Sequence, residues 1–395
     1  MKTMLVVLMT LSALMLLAAA HQQQNPPSPP VAPPFTSPAQ VYSGISGPGE
    51  PVIGDGSGGW RSGREGLRYK GPHPKPGWQL DWDEKATATG SAIKEGLFPP
   101  VKPLMELHLR DTIIRLVNDT YYLTGSTGDN IWDRNDGVEL WRSKDLQHWD
   151  YLGLVWSIDR DGTWQKEWHT DRNGHPMRDV WAPEIHFIHG KFYLALCMAS
   201  GGTSLLVSTT GKPEGPYVSP VKPDSPLTGG IDATLFQDDD GKVYFTWGRG
   251  GTIYQMKDDM SGFAGEGHRI AYEKPADGSW DKDEIAFEGA SLFKHAGKYY
   301  LTGAAFYKGR YSSVAAISDN IYGPYKQWHE AVPSGGGGNY FQDRAGIWHC
   351  TVFGNDEQVS WREKPGLVRI EFAPDGRIKI AAQQPPWLLP AATKK

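Results

Sequence analysis

Apolar and polar positions alternate over short stretches of this chain, and from about residue 105 the alternation returns as a unit. Each copy is an apolar run, a tight polar or glycine-bearing turn, and a second run rich in aromatic residues, which is the pattern of a β-hairpin. The copies span residues 112–127, 183–198, 233–248, 290–305 and 340–355. With Tyr122, Tyr193, Tyr244, Tyr300 and His349 as equivalent points, the intervals are 71, 51, 56 and 49 residues, even apart from one insertion between Trp156 and Trp181. Further strand-like segments, such as 137–144 and 148–156, lie between the copies, so each repeat holds two hairpins and makes one four-stranded antiparallel sheet. Such a sheet buries its faces only against neighbouring sheets, and five copies close a ring. The expected fold is all-β, a five-bladed β-propeller over residues 105–378. A β-sandwich would not repeat one strand-turn-aromatic unit.

Composition agrees with strands. The 47 Gly, 30 Pro, 16 Trp and 17 Tyr, with only 39% hydrophobic residues, favour turns and short strands over long amphipathic helices. Forty Lys and Arg against 45 Asp and Glu give a net charge of −5, which removes nucleic acid as an expected partner. The two cysteines, Cys197 and Cys350, fall in the second and fifth repeats. Those repeats are not neighbours in a five-membered ring, so two buried free thiols are expected rather than a disulfide.

The first residues follow a different pattern. Lys2 precedes an apolar run from Met4 to Ala20 that closes on small residues, the layout of a signal peptide over residues 1–20. The expectation is a secreted or periplasmic protein with no membrane attachment after cleavage. Residues 21–40 read as a Pro-rich tether, 41–104 as an irregular extension packed on the ring, and 379–395 as a short tail. The pattern does not fix an oligomeric state.

In a propeller the inner strand of each blade lines the central channel, so residues at its start meet around one funnel. Acids recur there: Asp111, Glu184, Asp232 and Glu288 precede the hairpin tyrosine by 11, 9, 12 and 12 residues, while the fifth repeat offers Asn339. Carboxylates sharing a partly buried pit raise one another's proton affinity. One ionised and one protonated carboxyl are what glycoside hydrolysis requires. Taken singly, each acid can serve a strand end instead, Asp111 with Arg110 beside it and Arg115 nearby, and Glu184 with Arg178 or His186. Recurrence favours chemistry for Asp111, Asp232 and Glu288, and leaves Glu184 evenly divided.

The strands around these acids, with Trp181-Ala182-Pro183-Glu184 and Glu288-Gly289, resemble glycoside hydrolase family 43, a family of five-bladed propeller glycosidases. The likeness covers about residues 105–375. It implies Asp111 as general base, Asp232 as the carboxylate that orients the acid and raises its pKa, and Glu288 as general acid in an inverting single displacement. An Asp111 to Glu288 carboxyl separation of ~6.5–9.5 Å goes with inversion. The resemblance further implies an exo-acting enzyme releasing arabinofuranosyl or xylosyl units from a plant or algal polysaccharide, with no organic cofactor. An exo-glycosidase acting on galactose or anhydrogalactose, and a sugar-binding propeller without catalysis, are the alternatives.

Two departures stand out. Thr112 follows the base where the family has Pro, and Gly337-Gly338-Asn339 stands where many members have Gly-Gly-His, whose His helps bind a central calcium, sodium or water cluster. Asn339 and His349 are therefore the candidate ligands of a central calcium or sodium ion, with blade packing the competing role for His349.

Aromatic faces stack on sugar C–H faces, but aromatics inside strands, such as Trp141, Trp149, Tyr193 and Tyr244, are expected in the core. Substrate contacts are expected from Trp132 and Arg134 in the loop 129–136, and from Trp168, beside Trp164, His169 and Arg178, in the insertion 157–179. Trp181, Glu184, Arg249 and Arg310 complete the set. Asn118-Asp119-Thr120 reads as a hairpin turn rather than a glycan acceptor, and Asp238–Gly241 as a turn rather than a calcium loop.

Overall fold

The computed structural model describes residues 101–107, 109–127, 135–170, 176–353 and 364–389. The expected signal peptide and tether, residues 41–100 of the extension, and Trp132 and Arg134 lie outside the described residues. The β-branched and aromatic runs form five four-stranded antiparallel sheets, each with its strands in sequential order, arranged as a five-bladed propeller. Their inner strands are Leu109–Val117, Val180–Ile188, Thr234–Gln237, Glu288–His295 and Tyr340–Gln342. The first hairpin turns at Asn118 and Asp119, both left-handed (φ +45° and +62°), as a two-residue turn between twisted strands requires.

Burial follows from this layout. Rather than one central core, the buried apolar residues divide into five wedges, one between each pair of consecutive blades, and a small sixth cluster of Ala304, Tyr311 and Phe353. Leu140, Ile185 and Leu194 belong to the wedge of blades 1 and 2, and Phe236, Leu292 and Leu301 to that of blades 3 and 4. Leu109, Tyr121, Phe341 and Leu367 close the ring between blades 5 and 1. Trp141, Trp149, Tyr193 and Tyr244 are buried in these wedges. Cys197 and Cys350 are buried and free, as their non-adjacent blades imply. The outer strand of blade 5, Ile378–Ile380, carries the ring slightly past residue 378. Next to it, Lys102 N–H donates to Leu388 O (3.0 Å) and Leu104 N–H to Pro365 O (2.8 Å), so the segments flanking the ring meet over blade 5.

Near the axis, polar side chains stitch blade to blade. Thr124 Oγ1 donates to Pro183 O (2.7 Å) and accepts from Ile185 N–H (3.2 Å). One interface earlier, Thr351 Oγ1 donates across to Thr112 O of blade 1 (2.6 Å) and accepts from Asn339 N–H of its own blade (2.8 Å). Asn135 imitates a missing strand: its Nδ2 donates to Thr127 O (3.1 Å) and Val180 O (2.8 Å), and its Oδ1 accepts from Val180 N–H (3.0 Å). Replacing a group that satisfies three buried backbone partners costs about 1–3 kcal/mol for each one left unmet. Asn135→Ala is therefore expected to lose about 3 kcal/mol or more in chemical denaturation, whereas a loss under about 0.5 kcal/mol would show the clamp to be dispensable.

Candidate active site

The inner strands enter the ring by a shared device. In blades 1, 2 and 4 two residues of the inner strand oppose one of the second strand, a β-bulge at Arg110/Ile113, Trp181/Glu184 and Glu288/Ser291. The bulged residue is left-handed in every blade: Asp111 (φ +49°), Ala182 (+42°), Asp232 (+58°), Gly289 (+64°) and Gly337 (+66°) occupy matching stations. Bulges kink a strand and re-aim the side chain they carry. Asp tolerates this conformation better than most residues, although such positions still cost about 1 kcal/mol or more each.

Matching stations correct the sequence reading in one respect. The acids do not share a single repeat position. Asp111 and Asp232 are the bulged residues, Glu288 stands one station before, and Glu184 two stations beyond. Counting back from the hairpin tyrosine hid this because the third hairpin turn is one residue longer than the first, with Tyr244 opposite Phe236 and Tyr122 opposite Arg115.

Asp111, Asp232 and Glu288 nonetheless line one narrow pit of about 70 Å³ on the ring axis, with Arg110, Ser126, Trp181, Glu184 and Tyr311. Asp111 Oδ2 accepts from Ser126 Oγ (2.8 Å), and Ser126 Oγ accepts from Ala182 N–H (2.7 Å), so an amide of blade 2 orients the hydroxyl that holds Asp111. Glu288 Oε1 accepts a short hydrogen bond from the Tyr311 hydroxyl. Asp232 Oδ2 accepts from Gly289 N–H (3.0 Å), which ties it to the backbone beside Glu288. The Asp232 N–H itself points at Cys197 Sγ (3.2 Å), whose thiol donates to Trp181 O (3.2 Å). Burial pushes the Cys197 thiol well up, so it remains a neutral bridge between blades 2 and 3.

Burial also governs the acids. It raises Asp232 well above the usual carboxylate range, and the charges of Asp111 and Glu288 raise it further. Glu288 is raised by burial first and then by Asp111, against the hydrogen bond from Tyr311 and the charge of Arg110, which pull it down. Tyr311 is pushed well up by burial and by Glu288, so its hydroxyl stays a donor. The pit thus favours protons on Asp232 and Glu288, because like charges this close, sheltered from water, resist joint ionisation.

The fifth wall is the glycine run Gly335–Gly338, whose backbone passes between Tyr311 and Asp111. A Cβ on Gly336 would lie 2.0 Å from the Tyr311 ring, and one on Gly337 2.1 Å from Phe353 and 2.9 Å from Asp111 Oδ1. Only glycine admits this approach.

The other expected residues divide. Trp181 and Glu184 line the pit. Glu184 is neutralised there: its Oε2 accepts from Thr234 Oγ1 (2.7 Å), lies 2.8 Å from His186 Nε2 and pairs with Arg115 (3.7 Å), while Arg178 pairs with Asp159 instead. Trp168 stands outside the pit with the Arg178 guanidinium over its ring at 4.3 Å. Arg249 lines a separate cavity and pairs with Glu284 (2.8 Å). Arg310 is buried and forked onto Glu330, at 2.8 Å and 2.7 Å; Tyr311, the next residue, is the one that faces the pit. Strand alternation is the signal that separates the two. Ser126 was equally legible in principle, since the hairpin register sets it opposite Arg110, beside Asp111.

Both candidate ion ligands already have a protein partner, although the buried His349 Nδ1 has none. Asn339 commits its Oδ1 to Ile114 N–H (3.1 Å), and His349 is bonded to Asp343 (3.0 Å) and stacked on Phe341. Among the described residues no three His, Cys, Asp or Glu side chains are grouped to hold a metal.

A five-bladed ring with carboxyls gathered at its axial mouth defines a class, and comparison with known proteins gives it a name. Residues 101–378 match Glycosyl hydrolases family 43, and the chain belongs to that family. It is 26% identical over 261 residues to a putative β-xylosidase of Escherichia coli (strain K12), covering 58% of this chain and 45% of that protein. It is 29% identical over 209 residues to a xylosidase/arabinosidase of Butyrivibrio fibrisolvens, covering 50% and 37%. The chain thus spans half or less of the length of these relatives. Similar solved structures include an α-L-arabinofuranosidase from Clostridium thermocellum, with a TM-score of 0.54 and 19% identity over 71% of this chain and 96% of that one. A GH43_1 enzyme from Xanthomonas citri complexed with xylotriose gives a TM-score of 0.55 and 20% identity over 74% and 96%. At these identities the likeness establishes the fold.

The raised affinity of Asp232 for protons has a consequence for stability. A carboxyl whose pKa is raised on folding favours the folded state when protonated and disfavours it when ionised, so at neutral pH the group is a burden. Asparagine keeps the acceptor for Gly289 N–H, suits the left-handed backbone and cannot ionise. Asp232→Asn is expected to melt above the wild type at pH 7, with the gap closing as pH falls below the ordinary Asp range. A variant that melts lower at pH 7 would contradict the burial argument.

Proposed function

We propose that this protein is a secreted, inverting exo-glycosidase that releases xylosyl or arabinofuranosyl units from a plant or algal polysaccharide, without an organic cofactor. The observation that carries the reading is the contrast between two carboxyls in one pit. Asp111 is held by a hydroxyl and open to the pit, while Glu288 is sheltered and raised by burial. Water positioned by Asp111 loses its proton to that carboxylate as its oxygen attacks the anomeric carbon. Glu288 gives its proton to the departing glycosidic oxygen on the opposite face. Asp232 fixes the acid through Gly289 N–H. The walls contributed by all five blades support action at a chain end, and the names of the relatives support the two sugars. The signal-like residues 1–20 support secretion.

Nitrophenyl xyloside and arabinofuranoside, assayed side by side, test the activity. Glu288→Gln and Asp111→Asn are each expected to lower kcat about 10²-fold or more, the contribution of a positioned acid or base. Full activity in either variant would overturn its assignment. Tyr311→Phe gives a pH test. The Tyr311 hydrogen bond favours ionised Glu288, so removing it raises the acid's pKa and moves the alkaline limb of kcat/KM to higher pH; a shift to lower pH would remove Glu288 from the acid role.

A further inference from the structure

The described residues expose two large hydrophobic side chains, Val218 and Phe306. Val218 belongs to the two-residue outer strand of blade 2, at the periphery of the ring. Phe306 is 52% exposed and packs against Tyr311, which lines the pit. It stands directly opposite Tyr311 across the blade 4 hairpin, so the two side chains share a face, with ring centroids 5.2 Å apart. Phe306 also stacks on Phe287, at 5.6 Å with planes 20° apart, and Phe287 meets Tyr311 edge-on at 6.0 Å. Phe287 immediately precedes Glu288, and the Tyr311 hydroxyl holds the Glu288 carboxyl. Three rings therefore make a step that descends from open solvent to Glu288.

The step is rigid. Its hairpin turns at Lys308 and Gly309, left-handed at +50° and +76°, a two-residue turn that leaves little slack. The following residue, Arg310, is buried and forked onto Glu330, which also accepts from Ser312 Oγ (2.6 Å). Among the described residues, this half-exposed aromatic ring packs only on its inner side, against Phe287 and Tyr311.

We propose that Phe306 is the platform on which the leaving sugar stacks, and that it selects a pyranose leaving unit, such as xylopyranose, over a furanose. The inference rests on the glycosidase reading above, because it is Glu288 that defines the leaving-group side of the bond. Whatever adjoins Glu288 on its outer side meets the departing unit, while the Asp111 side meets the attacking water. A phenyl ring offers no hydrogen bond and reads the flat C–H face of a chair with equatorial hydroxyls, which a puckered five-membered ring does not present.

Two substrates that release the same sugar test this, an oligosaccharide leaving a xylopyranose unit and the matching glycosyl fluoride, whose leaving group occupies no sugar subsite. In Phe306→Ala the ratio of kcat/KM on the oligosaccharide to kcat/KM on the fluoride is expected to fall about tenfold, the effect of ~1.4 kcal/mol of lost stacking. Phe306→Trp is expected to restore the ratio, and an unchanged melting temperature shows that the exposed site tolerates both changes. A ratio that stays within about twofold of wild type in Phe306→Ala would overturn the platform while leaving the glycosidase reading intact. Wild-type protein that turns over neither substrate would overturn the glycosidase reading, and the platform with it.

Discussion

Closing five twisted sheets around an axis crowds the heads of the inner strands together, and each strand meets that constraint with one left-handed residue at the same station. Everything at the mouth of the ring depends on these kinks. At Gly337 the kinked backbone passes close to Phe353 and Asp111, and at Gly289 it turns an N–H onto Asp232; where the kinked residue is aspartate, as at Asp111 and Asp232, the kink presents a carboxyl to the pit. Ala182, with neither advantage, uses its N–H to orient Ser126. A single repeated backbone feature thus supplies two acids, a hydroxyl relay and the close glycine wall, although the five residues have little in common as side chains.

The electrostatics follow from the same crowding. Three carboxyls in a sheltered pit are unfavourable for folding, and the protein limits the cost with donors placed one to an acid: Ser126 for Asp111, Tyr311 for Glu288 and Gly289 N–H for Asp232. Glu184 pairs with Arg115 and accepts from Thr234, and its charge comes last among those that raise Asp232. Strain and charge of this kind are expected where a site is shaped for chemistry rather than for stability.

The ring was largely legible in the sequence because hairpins repeat with a strict period of two, and the repeats recur at nearly even intervals. The three acids were legible by recurrence and resemblance. Their exact stations were not, since the one extra residue in the third hairpin turn gives Asp232 the same count as Glu288, although the two stand one station apart. Arg310 and Tyr311 show the same limit at the scale of one position: adjacent residues in a strand face opposite ways, and only the paired register tells which one reaches the site. Asn339 was singled out for a central ion because it stands where the resemblance has histidine, and His349 because it follows on the same hairpin; Asn339 Oδ1 accepts from Ile114 N–H, and His349 Nε2 meets Asp343.

Inversion at the anomeric carbon is the central mechanistic claim, because it requires Asp111 to activate water rather than attack the sugar itself. The direct measurement is proton NMR of the first sugar released, recorded before mutarotation scrambles its anomers. A product of opposite anomeric configuration to the substrate is the predicted result. A product with the configuration retained would mean a covalent intermediate, and would contradict the roles given to Asp111 and Glu288.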